Sequence, residues 1–504
     1  MARVWSLEEV AKHKDASSCW VVISDKVYDV TEFLPEHPGG SKIILKYAGR
    51  DATKAYEPIH PKDALDKHLP LEKHLGPLDS SGAQQLQEAS AAQPKTQDEI
   101  RVERARARKR PINQILSLQD MEDVAREVLS YKTWAFYRSA GDDEITYNEN
   151  RRAFSRFFFH PRILRPISQV DTSTAILGFK SSLPIFVSAA SLGKLGHPLG
   201  EANITRGCGR FGIIQMVSHY ASVSRPELMG ARVSPSQPMF FQLYPDREKS
   251  RSEAVLREVE ALGFNAVVMT VDGPVNGNRE RDLKAPFELE EQERLVEEAR
   301  RAQENPGDSG ALPERPEDAD NQLVEGELVL VGTSGGLRTT AELDMSWTDT
   351  LPWLQRTTKL PIVLKGIQCV EDAVQAAEAG VHGILLSNHG GRQLEYSLPP
   401  LEVLYRLRKQ RPDVFDKTEV YIDGGIHRGT DVLKALCLGA RAVGLGRAFH
   451  FASGAYGEAG VMQTIRILQR EIILGMRLLG VTNVQQLTPQ LVERVDWQPL
   501  LAKM

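Results

Sequence analysis

Cysteine is scarce in this chain of 504 residues: Cys19, Cys208, Cys369 and Cys437 are the only four. They lie far apart and form no metal-ligand pair, which suits a reducing compartment. Long apolar runs are missing too, and nothing approaches the ~20 residues of a membrane-spanning helix. Neither sign of charge dominates. A net charge of −5 provides no global field to draw the molecule onto nucleic acid. The first residues, MARVWSLEEVAKHKD, contain neither the apolar core of a secretory signal nor an Arg/Ser-rich amphipathic leader, so the cytosol is the expected compartment. What is present is a globular composition, 41% hydrophobic and 26% charged, in a chain too long for one typical domain.

Residues 1–78 form one compositional unit. It holds five of the twelve histidines, and CWVVI and KVYDV flank Ser24-Asp25 as a hairpin signal. Residues 79–98 are small and polar and read as a linker, which continues to 110. The basic run RVERARARKR at 101–110 reads as a solvated helix face joining two domains, in preference to a nuclear signal or an anion-binding patch.

From 111 to 504 the pattern is larger. Eight short apolar runs recur, from LPIFVSA (183–189) through GIIQMVS, MFFQLY, AVVMTVDG, PIVLKGI, GILLSNHGG and VYIDGGI to AVGLGRA (442–448). Stretches of helical periodicity at 247–262, 371–380, 399–409 and 429–439 lie between them. Continuous apolar strands alternating with helices imply parallel pairing with both faces covered, and eight units match an α/β (β/α)8 TIM barrel. An open dinucleotide-binding sheet would show GxGxxG after its first strand, whereas SAASLGKLG follows here. A gap of 87 residues, 274–360, separates the fourth and fifth strands. Its charge-dense part, about 288–336, is expected to be a short exposed helix followed by a mobile loop.

In such a barrel the chemistry collects at the C-terminal strand ends. These carry Ser188 and Ala189, Ser218, Gln242 and Tyr244, Thr270 and Asp272, Lys365, His389 and Arg392, Asp423 with Gly424 and Gly425, and Gly446 with Arg447. The DGG and GLGR turns end the seventh and eighth strands, where glycine backbones and one arginine can take a phosphate. His389 has the character of a general base, with Asp272 placed to orient it. Arg392 and Arg279 offer planar forks suited to a carboxylate. In the N-terminal unit, His37 and His60 lack any further ligand at zinc spacing. Two histidines alone suit the axial positions of a haem iron, although His-Pro-Gly-Gly also makes a turn by itself.

Two resemblances follow. Residues 5–78, through CWVVISDKVYDVTEFLPEHPGG and EPIH, resemble the α+β cytochrome b5 fold. Residues about 112–497, through QLY, TVDGPVNGNRERD, LKGI, SNHGGRQL and DGGIHRGTDVLKALCLGARAVGLGR, resemble the FMN-dependent 2-hydroxy-acid dehydrogenases and oxidases. The order of the two is that of the flavocytochrome b2-type L-lactate dehydrogenases. The resemblance implies haem b ligated by His37 and His60, and FMN lined by Ser188, Ala189, Ala190, Ser191, Ser218, Gln242 and Thr270. Asp423, Gly424, Gly425, Ile426, His427, Gly446 and Arg447 would hold its ribityl and phosphate groups. His389 is implied as the base paired with Asp272, Tyr244 as hydrogen-bonding the substrate oxygen, and Arg392 as gripping its carboxylate. Arg279 is implied at the pocket edge, and Lys365 facing the flavin. Two electrons would leave a small 2-hydroxy acid for FMN, then pass singly through haem to an acceptor such as cytochrome c. Direct hydride transfer and prior carbanion formation both stay open. A homo-oligomer, a tetramer by resemblance, is implied, and the mitochondrial intermembrane space competes with the cytosol.

Four positions depart from the family pattern. Phe136 stands where a tyrosine usually helps bind the substrate carboxylate. Tyr220 replaces a pocket-lining leucine or tryptophan, Ser191 an alanine, and His427 an arginine of the phosphate loop, for which Arg428 is the candidate substitute. An oxidase using O2, and a haem carrier or redox sensor on an inactive barrel, are the rival readings.

Overall fold

The computed structural model describes residues 3–37, 40–304, 332–333 and 340–495. The N-terminal unit is built on a small sheet. Strands β1 (Lys14–Asp15), β2 (Ser18–Ile23) and β3 (Lys26–Asp29) pair antiparallel in turn, β4 (Arg50–Asp51) adds parallel to β2, and β5 (His74–Pro77) adds antiparallel to β3. The β2–β3 connection is the two-residue turn Ser24-Asp25. Both residues are left-handed, with φ of 49° and 60°, which matches the twist a tight hairpin requires. Val21, Ile23, Val30, Leu34, Ala52 and Leu69 form the core of this unit.

The stretch read as a linker is helical. Helix α1 spans Ser80–Ala92, and the Asp79 carboxylate accepts from the Gly82 N–H at 2.6 Å. Alanine, glutamine and glutamate are good helix formers once a cap is supplied, so small and polar does not mean irregular. Helix α2 (Gln97–Arg108) opens with a capping box between Thr96 and Glu99. It contains most of the basic run, but these cations are not simply solvated. Arg101 donates to the carbonyls of Glu127 and Leu129, both at 2.7 Å, and Lys109 donates to the carbonyl of Ala455 at 2.7 Å.

Three further helices, α3 (Leu118–Val128), α4 (Tyr131–Arg138) and α5 (Ile145–Phe154), lead to the barrel. Its strands are β6 (Ile185–Val187), β7 (Ile214–Val217), β8 (Met239–Leu243), β9 (Ala266–Thr270), β10 (Ile362–Ile367), β11 (Gly383–Leu386), β12 (Glu419–Asp423) and β13 (Ala442–Leu445). All eight pair in parallel, and β13 closes on β6. They coincide with the eight apolar runs because each strand is buried on both faces. Phe186, Met216, Phe240, Val268, Leu385 and Tyr421 fill the interior, and Ile176 from a hairpin joins the same cluster. The barrel is therefore a packed core rather than a pore.

Helices α6 (Glu201–Phe211), α7 (Lys249–Leu262), α8 (Glu280–Glu304), α9 (Thr350–Thr357), α10 (Val370–Glu378), α11 (Pro400–Gln410), α12 (Gly429–Cys437) and α13 (Arg447–Leu479) follow among the strands. Helix α8 occupies the start of the long insertion. At 25 residues it is longer than the short helix expected there. The mobile loop expected after it falls on residues 305–331 and 334–339, outside the described residues. Among the described residues, no helix is long and apolar enough to cross a membrane.

Candidate active site

The turn after β11 carries the densest chemistry. His389 Nδ1 lies 2.9 Å from Asp272 Oδ1, and its Nε2 lies 3.2 Å from the Tyr244 hydroxyl. As a carboxylate, Asp272 can only accept, so the hydrogen sits on Nδ1 and Nε2 is left as an acceptor facing the pocket. The Asp272 side chain is completely buried. Its seat depends on Gly366, which bulges β10 with φ of 110°. A Cβ there would stand 2.5 Å from the Asp272 Cβ. His389 itself is left-handed at φ of 58°, a strained position for a residue with a Cβ. The Ser387 hydroxyl accepts from the His389 N–H at 3.1 Å and from Lys365 Nζ at 3.3 Å.

Around this pair the cations crowd together. Arg392 donates to the Tyr137 carbonyl. Burial, then the neighbouring Arg447 and Arg279, push its pKa well down from the ordinary arginine value. Positive groups that repel one another inside a pocket favour an anion there. The Arg279 guanidinium lies 5.0 Å from the centre of the Phe136 ring and 3.5 Å from Asp282. Tyr220 stacks on Tyr244 with ring centres 5.4 Å apart.

The barrel residues singled out from the sequence line this one pocket, apart from Asp272, which stands behind His389, and Arg428. At its inner end Ser188 donates to Asp423 at 3.0 Å, and Gln242 donates to Thr270 at 3.0 Å. At the far end Gly424, Gly425 and Gly446 leave backbone without side chains, and nothing lies within 4 Å of where a Cβ on Gly446 would stand. Bare backbone beside Arg447 and His427 fits a phosphate, and the polar inner end fits the edge of a flavin ring. Arg447 also has a structural task, since it donates to the carbonyls of Tyr137, Gly390 and Ser139 at 2.9–3.1 Å. Burial and the surrounding Arg151, Arg447, Arg138 and Arg428 push the His427 pKa down to about 3. Arg428 is not among the lining residues; it is exposed and pairs with Glu471 at 2.8 Å.

The sequence reading passed over several residues. Gln393, inside the same SNHGGRQL turn, donates to the Asp272 carbonyl at 2.9 Å. Tyr147 lies under the guanidinium groups of Arg138 and Arg447 at 3.8 and 4.6 Å. His450 lines the pocket but is only 4% exposed, and its Nε2 has no hydrogen-bond partner. Burial pushes its pKa down to about 4 from 6.5. The folded protein therefore refuses a proton that the unfolded chain takes up. Stability from this group is complete above pH 6.5 and falls by about 1.4 kcal/mol per pH unit towards pH 4. Thermal melting across that range should show a shallower acid loss for His450→Leu than for the wild type.

In the N-terminal unit the rings of His37 and His60 face each other with centres 6.1 Å apart. His37 Nδ1 donates to the Gly40 carbonyl and His60 Nδ1 to the Tyr56 carbonyl, each at 3.1 Å. Both Nε2 atoms are thereby left as unprotonated ligands. With metal–imidazole bonds of about 2 Å on each side, the spacing fits one iron between two axial histidines. Phe33 lies edge-on to His37 with ring centres 5.8 Å apart, and Ile44, Leu45 and Leu65 pack half-buried against the core of the same unit. Pro38 and Gly39 of the His-Pro-Gly-Gly stretch lie outside the described residues. The unit also touches the barrel. Lys194, three residues beyond Ser191, donates to the His60 carbonyl at 3.5 Å, and Lys67 pairs with Glu258 at 2.8 Å.

This is the arrangement of a flavin barrel preceded by a haem-binding unit. A family model described as FMN-dependent dehydrogenase matches residues 125–494, and one described as cytochrome b5-like heme/steroid binding domain matches residues 6–79. The chain belongs to the FMN-dependent dehydrogenase family and carries a cytochrome b5-like domain ahead of it. It is 43% identical over 490 residues to an L-lactate dehydrogenase (cytochrome) of Wickerhamomyces anomalus, covering 96% of this chain and 79% of that one. An enzyme of the same description from Saccharomyces cerevisiae is 42% identical over 492 residues, with the same coverage. Among solved structures, a double mutant of flavocytochrome b2 with pyruvate bound superposes with a TM-score of 0.68 at 40% identity, covering 80% of this chain and 92% of that one.

Proposed function

We propose that the protein oxidises an L-2-hydroxy acid, lactate or a near analogue, to the 2-oxo acid and delivers the electrons to a cytochrome c-type acceptor. The observation that carries this reading is the Asp272–His389–Tyr244 relay opening onto a pocket crowded with arginines. It supports a general base acting beside a site for an anion. FMN in the pocket supplies a two-electron acceptor, and haem between His37 and His60 supplies a one-electron relay.

The chain's own residues do the rest. Arg392, with Arg279 at the rim, takes the substrate carboxylate and fixes its orientation. The Tyr244 hydroxyl bonds the substrate hydroxyl. His389 takes the substrate proton on Nε2, and the fully buried Asp272 carboxylate steadies the imidazolium that results. Lys365, Ser188 to Ser191, Ser218, Gln242 and Thr270 would hold the ring end of FMN. Asp423 to His427, Gly446 and Arg447 would hold its ribityl and phosphate end. A cytochrome c acceptor is consistent with the mitochondrial intermembrane space, and the resemblance further suggests a homo-tetramer.

Tyr220 is proposed to shape the acid that fits. Its ring lies on Tyr244, and its hydroxyl is the nearest replacement in kind for the one Phe136 lacks. Tyr220→Phe should change turnover for at least one of lactate, glycolate, mandelate and a longer 2-hydroxy acid. Identical kinetics on all four would remove Tyr220 from the specificity account. Dehydrogenase and oxidase are separated by measuring cytochrome c reduction and peroxide together in air. Cytochrome c reduction with little peroxide is expected, and the reverse balance would make the protein an oxidase.

A further inference from the structure

Helix α5 lies between the two halves of the site. At its N-terminus the Glu395 carboxylate accepts from the Ile145 and Thr146 N–H groups at 3.0 and 2.7 Å. At the next residue, Gly391 approaches so closely that a Cβ on it would stand 2.7 Å from the Tyr147 nitrogen. The next contact is a reciprocal amide pair. Asn150 Nδ2 donates to Asn388 Oδ1 at 2.8 Å, and Asn388 Nδ2 donates to Asn150 Oδ1 at 2.7 Å. Both side chains are buried, at 2% and 1% exposure. Asn388 also accepts from the Gly391 N–H at 3.1 Å and donates to the Leu398 carbonyl at 3.2 Å, so its amide is fully used. Asn150 also touches the other half of the pocket. A Cβ on Gly425 would stand 2.1 Å from the Asn150 carbonyl oxygen, and one on Gly424 would stand 3.5 Å from its Nδ2.

We propose that Asn150 is a positioning residue: it locks the turn bearing His389 and the Gly424–Gly425 loop onto one rigid helix, so that the base and the cofactor keep a fixed register. The inference rests on the reading of His389 as the base and of 423–427 as a cofactor loop. Asn388 immediately precedes His389, whose left-handed backbone is a conformation that persists only where its surroundings over-determine it. A primary amide presents one donor and one acceptor side by side, which an ionised carboxylate cannot do. Aspartate at 150 would accept from Asn388 Nδ2 but set an oxygen against Asn388 Oδ1.

The test uses the full-length holoprotein with Asn150→Ala, the near-isosteric Asn150→Asp, Asn388→Ala and the double variant Asn150→Ala/Asn388→Ala. Asn150→Ala and Asn150→Asp should each lower kcat for L-lactate by about ten-fold or more with little change in KM. Each should also displace the acid limb of the kcat/KM profile and release FMN more readily, read as recovered flavin fluorescence. The double variant should lose no more kcat than the worse single one, because the pair acts as a unit. Unchanged kcat, acid limb and flavin release in Asn150→Asp would overturn the inference, as would losses that multiply in the double variant. His389→Gln is run beside them. If it keeps turnover, the reading of the base fails; if it is inactive while both Asn150 variants behave as wild type, only the positioning role fails.

Discussion

His389→Gln lowers kcat for L-lactate by roughly 10²–10⁴-fold, the range a positioned general base contributes, while FMN and haem stay bound. Glutamine preserves much of the ring's volume and a polar tip, so the turn keeps its contacts. The Asn388 amide and the His389 backbone N–H, which reaches Ser387, are untouched by the change. What disappears is the basic nitrogen Nε2, 3.2 Å from Tyr244, and with it the imidazolium that Asp272 would steady. KM should change much less, because the proposed carboxylate contacts are those of Arg392 and Arg279. Stopped-flow measurement of flavin reduction checks this directly. A variant with wild-type kcat would remove His389 from the chemistry.

The second large effect separates the two halves of the chain. His60→Ala abolishes haem binding and with it cytochrome c reduction, while substrate-dependent flavin reduction continues at the wild-type rate. The change removes one of the two imidazoles that would hold the haem, a pair whose ring centres are 6.1 Å apart. The backbone carbonyl that accepts from Lys194 remains, so contact with the barrel is kept. Absorbance of the purified variant reports the haem, and parallel assays with cytochrome c and with an artificial acceptor report the two activities. Undiminished cytochrome c reduction in haem-free protein would show that the relay does not run through this pair.

The barrel was legible because its strands are buried on both faces and so appear as unbroken apolar runs. The rule that chemistry sits at their C-terminal ends then collected Lys365, His389 and Asp423 into one mouth. Tertiary contacts that carry no local pattern were not legible. Asn150 lies on a helix ahead of the barrel, 238 positions from the amide it pairs with. Arg447 looks in the sequence like a phosphate ligand alone, and its bonds to the Tyr137, Ser139 and Gly390 carbonyls appear only when the chain is folded. His450 reads as one more residue of an apolar helix start. Residues 79–98 read as a linker from their small, polar side chains, yet Ala/Gln/Glu content and the Asp79 cap make Ser80–Ala92 a helix. Arg428 was a plausible substitute for the missing arginine at 427 by sequence proximity, but its side chain is taken by Glu471.

The most direct test of the central claim is anaerobic mixing of the purified holoprotein with L-lactate while flavin and haem absorbance are recorded together. The account predicts bleaching of the flavin followed by reduction of the haem, both lost in His389→Gln, and only the haem signal lost in His60→Ala. Absence of flavin bleaching with L-lactate and with every other 2-hydroxy acid tried would contradict it.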